Sequence, residues 1–301
     1  ILGLEAVTGE GKIFSDLKDV KKNNTGYDLK GLLVGSEGTL GVITKVKFKL
    51  FPLPKDKRVV FASFENLGNL INFFSKTKEF FNDLISSFEL INFNSLNLVI
   101  KNQKLRRIFK DAPYYALVEL SSLVEDFRFT KTIEDNFYSI SYLCKEIIVS
   151  KSVNENKNLW NYREMVPIAE RNIRICLKHD ISVPLSNIEK FISRTEKSIQ
   201  NFDKDFDVIN FGHLGDNNLH YNVFSKVESK NIKLEKMSHI ISNMIFESSE
   251  KLGGSFSAEH GIGQQRKKEL IKFKKKEEIE LMRKIKELFD PNNILNPGKV
   301  I

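Results

Sequence analysis

Sixteen glycines lie in this 301-residue chain, and none falls between Gly68 and Gly212. Glycine supplies the backbone conformations that tight turns and close approach to a ligand require. So long a stretch without one must be built from regular elements and ordinary loops. It reads as scaffold, and chemistry is expected at the two ends. The length allows a sizeable core and suggests two domains. A hydrophobic fraction of 41% with 24 phenylalanines suits a folded soluble protein, and no apolar run approaches the roughly 20 residues of a membrane span.

The 47 basic and 39 acidic residues leave a net charge of +8, mostly as lysine scattered along helical patterns. That is a solvated surface rather than a nucleic-acid patch, so no nucleic-acid partner is expected. Cys144 and Cys176 stand in unrelated segments without metal or redox spacing, which points to a reducing compartment and excludes an iron-sulfur cluster. A cytoplasmic location is expected, with peripheral membrane attachment as the alternative. ILGLEAVTGEGKIFS opens without methionine or a targeting signal and in mid-strand, so the beginning is expected to be missing.

At the first end, DLKGLLVGSEGTLGVITKVKFKLFPLP reads as strands over Leu32–Val34 and Val42–Leu50 around the loop GSEGTLG. That loop exposes backbone N–H groups with the Ser36 and Thr39 hydroxyls, which suits a phosphate or flat heterocycle. A tight structural turn explains it equally well. The middle, from Lys55 to Asp207, alternates patterns: LGNLINFFSKTKEFF helical, YYALVELSS a strand, EDFRFTKTIEDNFYSI helical. This order predicts an α+β domain on an antiparallel sheet. Arg163 stands one turn after Trp160 on a further helix, and LKHDISVPL opens a strand with Lys178, His179 and Asp180.

The stretch FGHLGDNNLHYNV is a hairpin by its turn residues, with strands over Asp207–Asn210 and Leu219–Phe224. A turn centred on Asp216 and Asn217 makes His213 and His220 direct cross-strand partners, close enough to share a metal ion. Surface histidines beside a polar turn are the alternative. Downstream, GGSFSAEHGIG offers Glu259 as a third ligand, its flanking glycines permitting a bent backbone. Two histidines and a glutamate leave open positions, the pattern of a catalytic metal. His260 then stands beside the metal as candidate base. Near the C-terminus, Ile279, Met282, Ile285 and Phe289 form one helix face ended by Asp290-Pro291.

NNTGYDLKGL with GSEGTLGVIT, then GHLGDNNLH, SAEHGIG and LFDPNNILNPGKV together resemble the FAD-linked 2-hydroxy acid dehydrogenases. These flavoproteins of vanillyl-alcohol oxidase type include D-2-hydroxyglutarate and D-lactate dehydrogenases, and the resemblance covers nearly the whole chain. It implies an α+β fold: the C-terminal part of an FAD-binding domain over residues 1–54, an antiparallel-sheet substrate (cap) domain over 55–255, and a catalytic segment over 256–301 that returns to the FAD domain. By the same resemblance Ser36, Gly38, Thr39, Gly41, Ile43, Asn222 and Asn296 contact FAD, and Arg163 and Lys178 hold the substrate carboxylate. His213, His220 and Glu259 bind a divalent zinc or manganese ion, and His260 is the catalytic base.

The implied reaction takes a D-2-hydroxy acid to its 2-oxo acid, with hydride passing to flavin N5 and electrons on to an electron-transfer flavoprotein, a quinone or a dye-like carrier. A homodimer is a further expectation. Pro167 departs from the hydroxyglutarate enzymes, which more often carry a hydroxyl residue there, and it shortens or kinks the Arg163 helix. A catalytically silent fragment and a metal-dependent hydrolase are the rival readings. Because the first part of the flavin domain is expected to precede Ile1, the purified 301-residue protein should show no near-stoichiometric flavin absorption. A full flavin spectrum would overturn that expectation.

Overall fold

Three helices of the larger sheet region begin where the sequence offers a cap. Asn66, Asn92 and Ser152 each turn a side-chain oxygen onto the N–H three residues on, that of Asn69, Ser95 and Glu155. The structure, a computed structural model, describes residues 1–20, 22–124 and 128–301. In chain order its elements are β1 (Gly3–Val7), β2 (Ile13–Asp16), α1 (Leu29–Leu33), β3 (Val42–Lys47), β4 (Asp56–Phe64), α2 (Leu67–Phe81), β5 (Ile85–Asn92), α3 (Phe93–Gln103), β6 (Tyr114–Ser122), α4 (Phe129–Ser139) and β7 (Glu146–Val149). There follow α5 (Val153–Glu164), α6 (Val166–Ala169), β8 (Cys176–Leu177), β9 (Asp180–Ser182), α7 (Leu185–Phe202), β10 (Phe206–His213), β11 (Asn218–Ser225), α8 (Asn231–Lys236), α9 (Ser238–Lys251), α10 (Lys267–Phe273) and α11 (Lys276–Phe289). Contacts divide the chain into two compact units, Ile1–Pro52 with Glu259–Ile301, and Leu53–Ala258.

In the smaller unit β2, β1 and β3 form an antiparallel sheet in that order. Ile285 and Phe289 of α11 pack against Leu4, Ala6, Leu33 and Leu40, which brings the last helix back onto the first strand. Gly9 makes this possible: its N–H donates to Phe289 O at 2.9 Å, and a Cβ there would lie 2.2 Å from Asp290 Oδ1. Lys286 Nζ donates to Thr39 O (2.9 Å) and Leu295 O (2.8 Å) and pairs with the buried Asp290. Leu32–Val34, expected as a strand, is instead the end of α1 and its exit. Asp28 caps Gly31 N–H at 3.3 Å, and Val34 N–H turns back to Lys30 O at 3.0 Å, so local hydrogen bonds replace a ladder.

The larger unit is built on one antiparallel sheet, ordered β7-β4-β6-β5-β10-β11-β8, with β9 also on β11. Its alternating strands bury both faces. Val59, Phe61, Tyr115 and Leu117 on one face meet Leu96, Leu159 and Tyr162 from the helices. On the other, Phe64 and Phe88 meet Phe73 and Phe74 of α2, and Phe137 of α4 stacks on Phe73 at 5.2 Å. The phenylalanine content is thus largely core. The helix expected over 125–140 is found as Phe129–Ser139; residues 125–127 lie outside the described residues. LKHDISVPL is split into β8 and β9, because His179 N–H bonds the side chain of Asn222 (3.0 Å) rather than a ladder carbonyl. Among the described residues no helix is long and apolar enough to cross a membrane.

Asp203, after α7, gathers Lys233 (2.7 Å), Lys230 (2.9 Å) and the Asp205 N–H (3.1 Å), and these donors hold its carboxyl well below the usual range. A depressed folded pKa contributes stability above the unfolded value of about 3.9 that is lost as pH falls. Asp203→Asn is therefore expected to lower the urea midpoint at pH 7, and to lower it progressively less as the pH falls below about 4. Glu196 runs the other way: burial and Asp207 push it up to about 7, so the stability of its protonated form is lost as pH rises through that value. Glu196→Gln should stabilise at pH 8 and change little at pH 4. Shifts that do not change with pH would refute either assignment.

Candidate functional site

The hairpin of β10 and β11 does not adopt the register expected from its turn. His220 pairs with Phe211, not with His213. A short helical turn over Leu214–Asp216 and Asn217 at φ 61° make the connection, with Leu214 buried, so the reversal is centred one residue earlier. Gly212 allows the close crossing, since a Cβ there would lie 2.6 Å from Asn218 O. The change moves His213 to the diagonal position from His220 and keeps both on one face. Their ring centroids are 5.8 Å apart, and the His220 ring also packs on Phe211 at 4.9 Å.

What faces His213 across the ladder is Glu89 of β5. This carboxylate is 1% exposed and accepts three hydrogen bonds: from His213 Nδ1 (2.8 Å) and Ser87 Oγ (2.6 Å) on Oε1, and from Arg163 Nε (2.7 Å) on Oε2. Burial pushes the Glu89 carboxyl up, but the bond from His213 and the Arg163 charge outweigh it and hold it below the usual range. Arg163 is itself buried, with its guanidinium over the Phe211 ring at 4.7 Å. It sits in the last turn of α5, and the chain re-starts as α6 with Pro167 in the first turn. The expected break after Arg163 is therefore present.

A second buried carboxylate organises the other side of β11. Glu170, 2% exposed, pairs with Lys178 Nζ at 3.0 Å and accepts from Asn222 Nδ2 at 2.6 Å. The amide of Asn222 is thus engaged on both sides, by Glu170 and by His179 N–H. His179 is structural: Nδ1 faces Tyr221 O and Nε2 faces Ser242 Oγ, each at 2.8 Å. Asp180 pairs with His220 in the ladder, its Oδ1 lies 3.7 Å from His220 Nδ1, and its carbonyl accepts Ala258 N–H at 3.2 Å. Glu259 is the next residue along the chain.

In the smaller unit the two glycine-rich loops are tied by Glu37. Its carboxylate accepts Ile262 N–H (2.7 Å) and Gly263 N–H (2.8 Å), and its carbonyl accepts Asn296 Nδ2 (2.6 Å). Gly261 has φ 71°, and a Cβ on it would stand 2.5 Å from Glu37 Oε1, so both conformation and space demand glycine. GSEGTLG and the GIG that follows Glu259-His260 therefore form one fixed structure. A cavity of about 300 Å³ borders Gly35, Ser36 and Thr39, with Lys286 and Lys299 on its wall.

Residues 53–300 match the sequence family FAD linked oxidases, C-terminal domain. The chain belongs to this family. It is 32% identical to a mitochondrial D-2-hydroxyglutarate dehydrogenase of Danio rerio, aligning over 100% of the chain and 55% of that protein. Against a D-2-hydroxyglutarate dehydrogenase of Stutzerimonas stutzeri the figures are 29%, 100% and 64%, and against a candidate mitochondrial D-lactate dehydrogenase of Schizosaccharomyces pombe 34%, 100% and 58%. The chain thus spans little more than half the length of these relatives. Two solved structures share the fold at 14% identity: p-cresol methylhydroxylase (TM-score 0.66, over 99% of this chain and 64% of that one) and the 4-ethylphenol oxidase of Gulosibacter chungangensis (0.70, 99% and 65%).

In this member of the family the sheet unit gathers His213, His220 and Arg163, while Lys178 and Asn222 share Glu170. Thr39 is buried, and its hydroxyl donates to Ser36 O at 2.7 Å; Gly41 is a packing position, where a Cβ would meet Leu33 Cδ2 at 3.0 Å. Ile43 on β3 and Asn296 are exposed. Three carboxylates with a part in the site are not among the residues that motif and spacing single out: Glu37, Glu89 and Glu170. A lone glutamate inside FELIN is the available signal, because a charge in an apolar strand must be buried with partners. For Glu37→Ala, which strips two backbone N–H groups of a charged acceptor, a loss of roughly 2 kcal/mol is expected in urea unfolding followed within the smaller unit. An unchanged midpoint would show that the two loops hold without it.

Proposed function

We propose that this chain supplies the substrate-binding and metal-binding part of an FAD-dependent dehydrogenase that oxidises a D-2-hydroxy acid to the 2-oxo acid. Arg163 carries the reading. Its Nε is fixed by Glu89, and among the described residues no hydrogen bond engages its two terminal nitrogens, so a buried guanidinium fork is held ready beside two histidines whose Nδ1 atoms face carboxylates. A carboxylate substrate is what such a fork recognises. The names of the relatives in Danio rerio and Stutzerimonas stutzeri support the same substrate class.

The residue types of His213, His220 and Glu259 suit zinc or manganese, and the carboxylate on His213 Nδ1 places the lone pair of that neutral imidazole on Nε2. When bound, such an ion supplies Lewis acidity that lowers the pKa of the substrate hydroxyl. FAD fits the smaller unit: Gly35 and Gly38 have φ of 82° and 71°, a Cβ on Gly35 would meet nothing within 4 Å and one on Gly38 only Asn296 Nδ2 at 3.8 Å, and Val42 and Ile43 offer exposed apolar surface beside them. When bound, FAD supplies the acceptor for the hydrogen leaving C2.

The protein's own groups perform the remaining work. Arg163 orients the acid end with two parallel hydrogen bonds, and Lys178 adds a second positive charge to it. His260 takes the hydroxyl proton. Ser36, Gly38, Thr39, Gly41, Ile43 and Asn296 would hold FAD, and Asn222, which fixes Glu170 beside Lys178, is assigned to the cofactor by resemblance. Burial pushes both cysteine thiols up to about 12, so neither serves as a relay, and the electrons pass to a diffusing acceptor such as an electron-transfer flavoprotein or a quinone. A metal hydrolase would leave the flavin-type loop without a task.

Three variants test the reading by binding alone. His220→Ala should lose most of the bound zinc by elemental analysis, whereas His260→Ala should keep it. Arg163→Lys, which retains charge but not the fork, should bind 2-oxoglutarate about tenfold more weakly by calorimetry. Zinc retained by His220→Ala would remove that residue from the ligand set. Equal 2-oxoglutarate affinity in Arg163→Lys would remove the carboxylate anchor.

A further inference from the structure

We infer that Glu89 is a positioning residue that couples the two halves of the substrate site, setting the tautomer of His213 with one oxygen and the attitude of Arg163 with the other. The inference rests on the proposed function for what those two residues bind, but its own geometry is independent of that reading.

Glu89 and His213 are direct cross-strand partners of β5 and β10, so their side chains leave the sheet on one face. A carboxylate accepts and does not donate, so the 2.8 Å contact to His213 Nδ1 requires the proton on Nδ1 and leaves the lone pair on Nε2. Arg163 Nε–H occupies the other oxygen at 2.7 Å, and the Phe211 ring beneath the guanidinium fixes its plane. Ser87 Oγ completes the set at 2.6 Å. Every one of these partners is a donor, and the acceptor between them is 1% exposed, so water is a poor substitute for any of them.

That donor arithmetic separates glutamate from glutamine. An amide of the same shape has one acceptor oxygen and one donor nitrogen. Facing Arg163 with the oxygen, it turns its NH₂ on His213 Nδ1 and forces the ring proton to Nε2, where it blocks metal ligation. Facing His213 with the oxygen, it opposes NH₂ to the Arg163 Nε–H and displaces the guanidinium. One carboxylate serves both neighbours; one amide serves only one. Because the guanidinium always donates, the first arrangement is expected.

The test is made on the metal-free 301-residue protein labelled with ¹⁵N-histidine, using long-range ¹H–¹⁵N correlation to locate the His213 proton. Zinc and 2-oxoglutarate are then titrated separately. The unsubstituted protein should carry the proton on Nδ1. Glu89→Gln should move it to Nε2 and weaken zinc about 10- to 100-fold while sparing 2-oxoglutarate, and Glu89→Asp should restore the Nδ1 proton. A Nδ1 proton kept in Glu89→Gln together with 2-oxoglutarate weakened about tenfold is the second arrangement and also upholds the coupling. Three unchanged readouts in Glu89→Gln overturn it, as does a Nε2 proton in the unsubstituted protein, a result that needs no variant to fold. If the unsubstituted protein binds no zinc, the proposed metal site fails, while the proton position still decides the role of Glu89.

Discussion

A carboxylate at the centre of an eight-stranded sheet is costly to bury, and Glu89 is tolerated because three donors converge on its two oxygens. Much of the larger unit's architecture serves that convergence. The β5–β10 pairing brings His213 opposite, the last turn of α5 delivers Arg163, and Ser87 lies two residues back on the same face of β5. A buried ion pair of this kind is weak evidence for stability. It is stronger evidence for a need to hold specific groups in specific orientations, and both of its partners are groups expected to touch substrate or metal.

The smaller unit solves a related problem with backbone rather than side chains. Its glycines let two loops approach so closely that Glu37 takes N–H groups from residues 262 and 263, immediately beyond the candidate base His260. Gly9 performs the same service for the end of α11. The glycine-free middle and the glycine-rich ends therefore mark a division of labour: side-chain packing builds the sheet scaffold, and close backbone contact shapes the loops that carry the motifs.

Part of the candidate site is legible in the amino-acid sequence. His213, His220 and Arg163 are legible as residues, and α2 and β6 as elements, because their hydrophobic periods are long and regular. The register of the hairpin is not. Asn217 in the left-handed region and Leu214 turned into the core shift the reversal by one residue, and both depend on what packs beneath the turn. The strand expected at Leu32–Val34 fails for the opposite reason: three apolar residues carry too little pattern to outweigh a local cap from Asp28.

By itself the sequence determined the class of fold, the division between scaffold and loops, and the residue types available for chemistry, since these follow from periodicity, glycine placement and motif order. Only the tertiary structure decided which carboxylates stand behind those residues. Glu89 is 74 positions from Arg163 and 124 from His213, and Glu37 is 225 from Ile262. No local pattern can link groups so far apart along the chain; the pairing of β5 with β10 and the return of the C-terminal segment onto the first loop bring them within hydrogen-bonding distance.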